Sequence, residues 1–184
     1  RHFALAETAR IMAARGLLQS DRMAVMDLAL YPDPGAEKLF LQDLYAALHA
    51  PGEIVVFEHY ESATRLLRIL SDLAVKGSAP LSSRYLVNKE GILVEAGTAL
   101  APGAVSRIDP CGKYLIFFSR KTEALADKFG ASFVAAVGDV CQTAPFTPEA
   151  LAALAAQQLN ALAQRVQALG LTLAAGAEVR DYVA

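Results

Sequence analysis

The chain has 184 residues, 54% of them hydrophobic and 20% charged, with a formal net charge of -2. That is enough apolar material to bury a core in one domain, or in one domain and part of another, and the near-neutral balance excludes the basic field that draws proteins to nucleic acid or anionic lipid. Two cysteines, Cys111 and Cys141, far apart and without C-x-x-C spacing, exclude a disulfide framework and a zinc site.

Arg1 stands where an initiator methionine would, close to a helix with no cap before it, so the sequence is expected to continue upstream. Apolar residues from Phe3 to Leu17 recur at helical spacing up to Gly16, and Met23 to Leu30 reads as a strand closed by the turn Tyr31-Pro32-Asp33-Pro34-Gly35. A helix over 37–50 stops at Pro51-Gly52. The run Ile54-Val55-Val56-Phe57 then suits a strand buried on both faces. Residues 62–75 form a further amphipathic helix, and Tyr85 to Val87 with Ile92 to Val94 flank Asn88-Lys89-Glu90-Gly91 as a hairpin. After a second loop, from Ala101 to Gly112, Tyr114 to Phe118 repeats the pattern of a central parallel strand. A helix over 122–129 and a short apolar helix or turn over 132–137 follow, then a strand over 140–143 in which Cys141 is expected to be buried.

At Thr147-Pro148-Glu149 a cap, a first-turn proline and a first-turn acid start an Ala/Leu/Gln helix that runs to Gly170. Gln157, Gln158 and Gln164 interrupt it, so no stretch reaches the roughly 18–20 apolar residues that cross a bilayer, and a cytoplasmic location is expected. Leu171 to Leu173 reads as a short strand and 178–183 as the start of another helix. The domain boundary is placed at Thr147, giving 1–146 and 147–184. Strands alternating with helices imply a parallel α/β sheet covered by helices, whose ligands bind at the carboxyl ends of the strands. Those ends are Tyr31 to Pro34, Glu58 to Glu61 and Ser119 to Lys121.

Ser132-Phe133-Val134-Ala135-Ala136-Val137-Gly138-Asp139, Pro145-Phe146-Thr147, Gln158-Leu159-Asn160, Arg165-Val166 and Leu171-Thr172-Leu173 resemble the end of an AAA+ core and the start of its small helical domain in the Clp unfoldase and disaggregase family. There the order is F-L-N-R-I-D-E, a proline, a long helix with Q-L and a basic pair, then I-T-L. Ile54 to Ala63 is similar to that family's Walker B stretch, an apolar strand followed by D-E-x-E-K-A. Asp27 and Tyr31 match D-M-S-E-Y, and Leu115 to Arg120 takes the place of the strand ending in T-S-N. Only residues 78–112 fit loosely. The resemblance implies a P-loop NTPase-like fold, ATP or ADP with Mg²⁺ as ligands, protein substrates, ring-forming AAA+ partners or self-association as a hexamer, and no nucleic acid or membrane.

Each position has its own chemistry to answer for, because a fold does not carry an activity. Phosphoryl transfer needs a phosphate-cradling loop, an acid on Mg²⁺, a glutamate for the attacking water, a polar sensor and an arginine from a neighbour. No G-x-x-x-x-G-K-[ST] string occurs; Asp33 to Leu39 is an ordinary turn, and the resemblance puts a phosphate loop before Arg1. Glu58 replaces the Walker B aspartate as the candidate Mg²⁺ ligand, and His59 replaces the glutamate. Glu61 matches the second acid, Arg120 replaces the sensor asparagine, and Ala135 and Ala136 stand for the asparagine and finger arginine. Glu58, Glu61 and Arg120 are therefore the candidate nucleotide-binding residues, and His59 a catalytic position expected to be inactive. It is equally accounted for as a polar strand-end residue with hydrogen-bonded nitrogens. No aromatic between glycines marks a substrate-gripping pore loop, so Tyr31 and Phe40 are read as core.

Three readings remain open: a hydrolysis-deficient scaffold or regulatory subunit that binds nucleotide weakly, a working ATP-dependent unfoldase with divergent motifs, and a plain α/β enzyme using His59 with Glu58 or Glu61. The last lacks a G-x-S-x-G nucleophile. His2 and His49 are expected to stand alone on their helices.

Overall fold

The computed structural model describes residues 2–32, 34–60, 66–97, 102–119, 122–138, 140–174 and 179. The chain divides into two compact units, Arg1–Val140 and Cys141–Ala184.

In the first unit three strands, β1 (Met23–Asp27), β2 (Ile54–Glu58) and β6 (Tyr114–Phe117), form a parallel sheet in the order β1-β2-β6. Their registers run Met23 against Ile54 through Asp27 against Glu58, and Ile54 against Tyr114 through Phe57 against Phe117. The strands expected at 54–57 and 114–118 are thus adjacent and parallel. β2 is central because its side chains are apolar on both faces. Ile54 and Val56 pack beneath α1 (His2–Ala14) with Ala9, Leu18 and the half-buried Met12, Ile116 and Phe118. Val55 and Phe57 point the opposite way, as strand alternation requires, into the larger core. That core takes Phe40, Leu44 and Leu48 from α2 (Glu37–His49), Leu70 and Leu73 from α3 (Leu67–Lys76), Leu125 from α4 (Thr122–Phe129) and Phe133 from α5 (Ala131–Ala136).

A second, antiparallel sheet lies in the segment that fits the family pattern least. Its order is β4-β3-β5, from β3 (Ala79–Val87), β4 (Leu93–Glu95) and β5 (Val105–Ile108), and Ala79, Tyr85, Leu93 and Ile108 drop into the same core. The hairpin turn closes as its sequence demands: Asn88 Oδ1 accepts from the amides of Glu90 and Ile92, and Gly91 takes φ +78°.

Several expectations are corrected. The first strand ends at Asp27, whose carboxylate accepts from the Ala29 amide and turns Leu28–Leu30 into a 3-10 turn. The loop expected over 101–112 contains β5, which pairs with β3. No strand forms over 140–143: Val140 and Cys141 are exposed, because two apolar residues followed by Gln142 and Thr143 present no continuous face to bury. Leu171 to Leu173 is likewise without regular structure and exposed. Tyr31 and Phe40 are buried and contact each other edge-on. The 3-10 turn Pro34–Ala36 leads directly into α2, with no phosphate-cradling loop between 34 and 39.

The second unit is built around α6 (Pro148–Gln167), capped by Thr147, whose hydroxyl accepts from the Ala150 amide. Of the helix expected over 178–183, all but Val179 lies outside the described residues. No helix among the described residues is long and apolar enough to cross a membrane.

Candidate functional site

The parallel register brings Asp27 level with Glu58 at the carboxyl edge of the sheet, one residue before His59. His59 adopts φ +51°, a left-handed conformation uncommon for a side chain with a Cβ. Its Nδ1 lies 2.8 Å from Asp27 Oδ1. A carboxylate only accepts, so Nδ1 is the donor and, in the neutral ring, Nε2 holds the lone pair. The hydrogen bond from His59, then that from the Ala29 amide, hold the Asp27 carboxyl below its ordinary value. Both groups are well exposed, His59 at 55% and Asp27 at 37% of the side chain, so water screens the pair.

Glu58 is less open, at 19%, and its Oε1 lies 2.6 Å from Nε2 of His2 on the first turn of α1. His2 in turn stands edge-on to Phe118, just past the end of β6. At that end Ser119 Oγ and Tyr60 OH lie 2.6 Å apart, with Tyr60 fully buried. Tyr31 donates to Asp43 at 2.7 Å, and burial first, then that carboxylate, push its phenol well above the ordinary range.

The structure therefore gathers Asp27, Glu58 and His59 at one edge; the alternation of strands and helices put Glu58 and His59 there, while the first strand was expected to end at Tyr31 to Pro34. Glu61 and Arg120 lie outside the described residues. Ala135 and Ala136 are exposed on α5. His2 does not stand alone: it is the partner of Glu58, a contact no local pattern signals because α1 and β2 are remote in sequence. His49 does not stand alone either, since its Nε2 faces Cys111. Among the described residues no group of three or more His, Cys, Asp or Glu side chains is arranged to hold a metal ion. Chemically, the edge offers two carboxylate–imidazole contacts, suited to holding or passing a proton.

No protein family compared matches this chain. No curated protein matches it.

Proposed function

We propose that this chain is a Clp-like AAA+ module that acts as a scaffold or regulatory subunit in protein remodelling, binding ATP or ADP weakly and not hydrolysing it. The observation that carries the reading is the engagement of Glu58 by His2 at the tip of the central strand. A carboxylate with one oxygen on an imidazole has less of its acceptor capacity left for Mg²⁺, and His59 beside it offers no negative charge to polarise a water. Ala136 brings no cation to developing phosphoryl charge, a loss on the order of a thousandfold in rate where such arginines act. Adjacent parallel strands with Asp27 and Glu58 level at their tips support the reading. Family rings bury nucleotide between subunits, so self-association is proposed to be weak without the arginine.

The test is a steady-state phosphate-release assay with Mg-ATP on the purified protein and its Glu58→Gln variant, with calorimetric titration of ADP. The proposal expects no turnover in either protein and weak heats. Turnover in the wild type that Glu58→Gln abolishes would replace it with the active unfoldase reading.

A further inference from the structure

At the opposite, amino-terminal edge of the parallel sheet a thiol and an imidazole face each other. Cys111 Sγ lies 3.6 Å from His49 Nε2, across the gap between the turn before β6 and the last turn of α2. Three backbone-anchored contacts hold these segments together. Lys113 Nζ donates to the carbonyls of Ala50, at 2.7 Å, and of Gly52, and the Tyr114 amide donates to Glu53 at 2.7 Å. The turn itself is closed by the Cys111 amide on Asp109 Oδ1 and the Lys113 amide on the Pro110 carbonyl.

The imidazole is set in one tautomer. His49 Nδ1 lies 2.8 Å from the Tyr45 carbonyl oxygen, which only accepts, so Nδ1 carries the proton and Nε2 presents its lone pair to the sulfur. The Tyr45 ring stacks on the imidazole at 3.9 Å between centroids and fixes its plane. Cys111 and His49 are both exposed.

We infer that Cys111 is a modification site for small uncharged hydroperoxides, with His49 as the base that takes the thiol proton. Sγ attacks the nearer peroxide oxygen, forming an S–O bond as the O–O bond breaks. The attacked oxygen is the one that carries hydrogen, and the thiol proton passes to His49 Nε2 and from the imidazolium to the departing hydroxide or alkoxide. Cys111 becomes a sulfenic acid, oxidised by two electrons, and the peroxide is reduced to water or alcohol. The carboxylate of Asp109 at the same turn disfavours anionic oxidants.

Proton transfer is what the pair adds. Partial shielding of the sulfur first, and Asp109 second, raise the Cys111 thiol above its ordinary value against a smaller opposing pull from Lys113, so few molecules ionise unaided at neutral pH. The sulfur has a second acceptor in the Asp109 carbonyl, also at 3.6 Å, but a carbonyl cannot carry the proton away. Cys141 is exposed too and serves as the reference thiol in the same molecule.

The experiment is exposure of the purified protein to hydrogen peroxide with dimedone trapping, each cysteine being followed by mass spectrometry at pH 7 and pH 8. Cys111 is expected to react on the order of tenfold faster than Cys141 at pH 7, a modest gain beside the hundredfold of sequestered general bases. From pH 7 to 8 an unassisted thiol gains about tenfold as its thiolate fraction grows, so Cys111 should climb far less than that. His49→Gln should slow Cys111 to about the Cys141 rate and restore the tenfold climb, with Cys141 unchanged. Equal wild-type rates, or a tenfold climb at Cys111 in the wild type, would overturn the inference without any variant.

Discussion

His59 Nδ1 lies 2.8 Å from Asp27 Oδ1, so the tips of β1 and β2 are joined through side chains as well as through the strand ladder. The folded state lowers the Asp27 pKa, chiefly through His59 and then through the Ala29 amide. A depressed carboxylate contributes stability above its unfolded pKa, near 3.9, and loses it as pH falls through the folded value. Asp27→Asn should therefore be less stable than wild type at pH 7, by below about 1 kcal/mol because the pair is exposed. The difference should vanish at an acid pH low enough to protonate the carboxylate in both states. Urea midpoints at the two pH values measure this, and a gap that persists in acid would assign the effect to packing.

Gly52 and Arg22 set the spacing at the other edge. Gly52 holds φ +103°, and a Cβ there would overlap the Arg22 carbonyl oxygen and come within 3.0 Å of its carbon. Since Arg22 and Gly52 enter β1 and β2, the clash would fall where the two strands begin to pair. Gly52→Ala should cost about 2–4 kcal/mol, combining left-handed strain with overpacking. Gly77→Ala is the control, because Gly77 has φ +67° and open space around it, leaving strain alone at about 1 kcal/mol. Equal urea midpoints for the two variants would remove the close approach as the cause.

Ile54 to Phe57 was legible as the central strand because it is short and wholly apolar, whereas Tyr114 to Phe117, expected to be central as well, lies at the edge of the described sheet with β2 as its neighbour and Tyr114 exposed. β5 was hidden because Val105-Ser106-Arg107-Ile108 offers two apolar residues whose burial depends on β3, a partner remote in sequence. Val140 and Cys141 misled for the converse reason: local hydrophobicity with no strand to pair it. At the candidate site, Glu58 and His59 could be placed from a strand end, whereas Asp27 could not, because the first strand was expected to run on to Leu30. Their partners could not, since His2 meets Glu58, and His49 meets Cys111, only through packing of distant elements.

In the second unit the cap of α6 was readable from Thr147-Pro148-Glu149 alone, and the Thr147 hydroxyl accepts from the Ala150 amide at 3.2 Å. Thr147→Ala leaves that amide to water and should cost the helix about 1 kcal/mol, while Thr147→Ser should retain most of it. Amide hydrogen exchange in the first turn of α6 reads the change directly. Equal protection in both variants would mean that Pro148 alone sets the helix start.

Phe133 ties the short helix α5 to the sheet. It is fully buried, stacks on Phe129 at 4.0 Å and meets Phe117 edge-on at 5.0 Å, and Phe117 in turn stacks on Phe57 of the central strand at 5.0 Å. Six residues of helix cannot hold themselves in water, so the position of α5, with the exposed Ala135 and Ala136 on it, depends on this ring. Phe133→Ala should destabilise the first unit by about 3–5 kcal/mol. Pairing it with Phe117→Ala in a double-mutant cycle should return a coupling of about 0.5–1.5 kcal/mol, the worth of an aromatic contact beyond its buried area. Denaturation of the four proteins measures both quantities. A coupling near zero would mean that Phe133 stabilises by filling space rather than by its geometry against Phe117, and α5 would then tolerate Phe133→Leu with little loss.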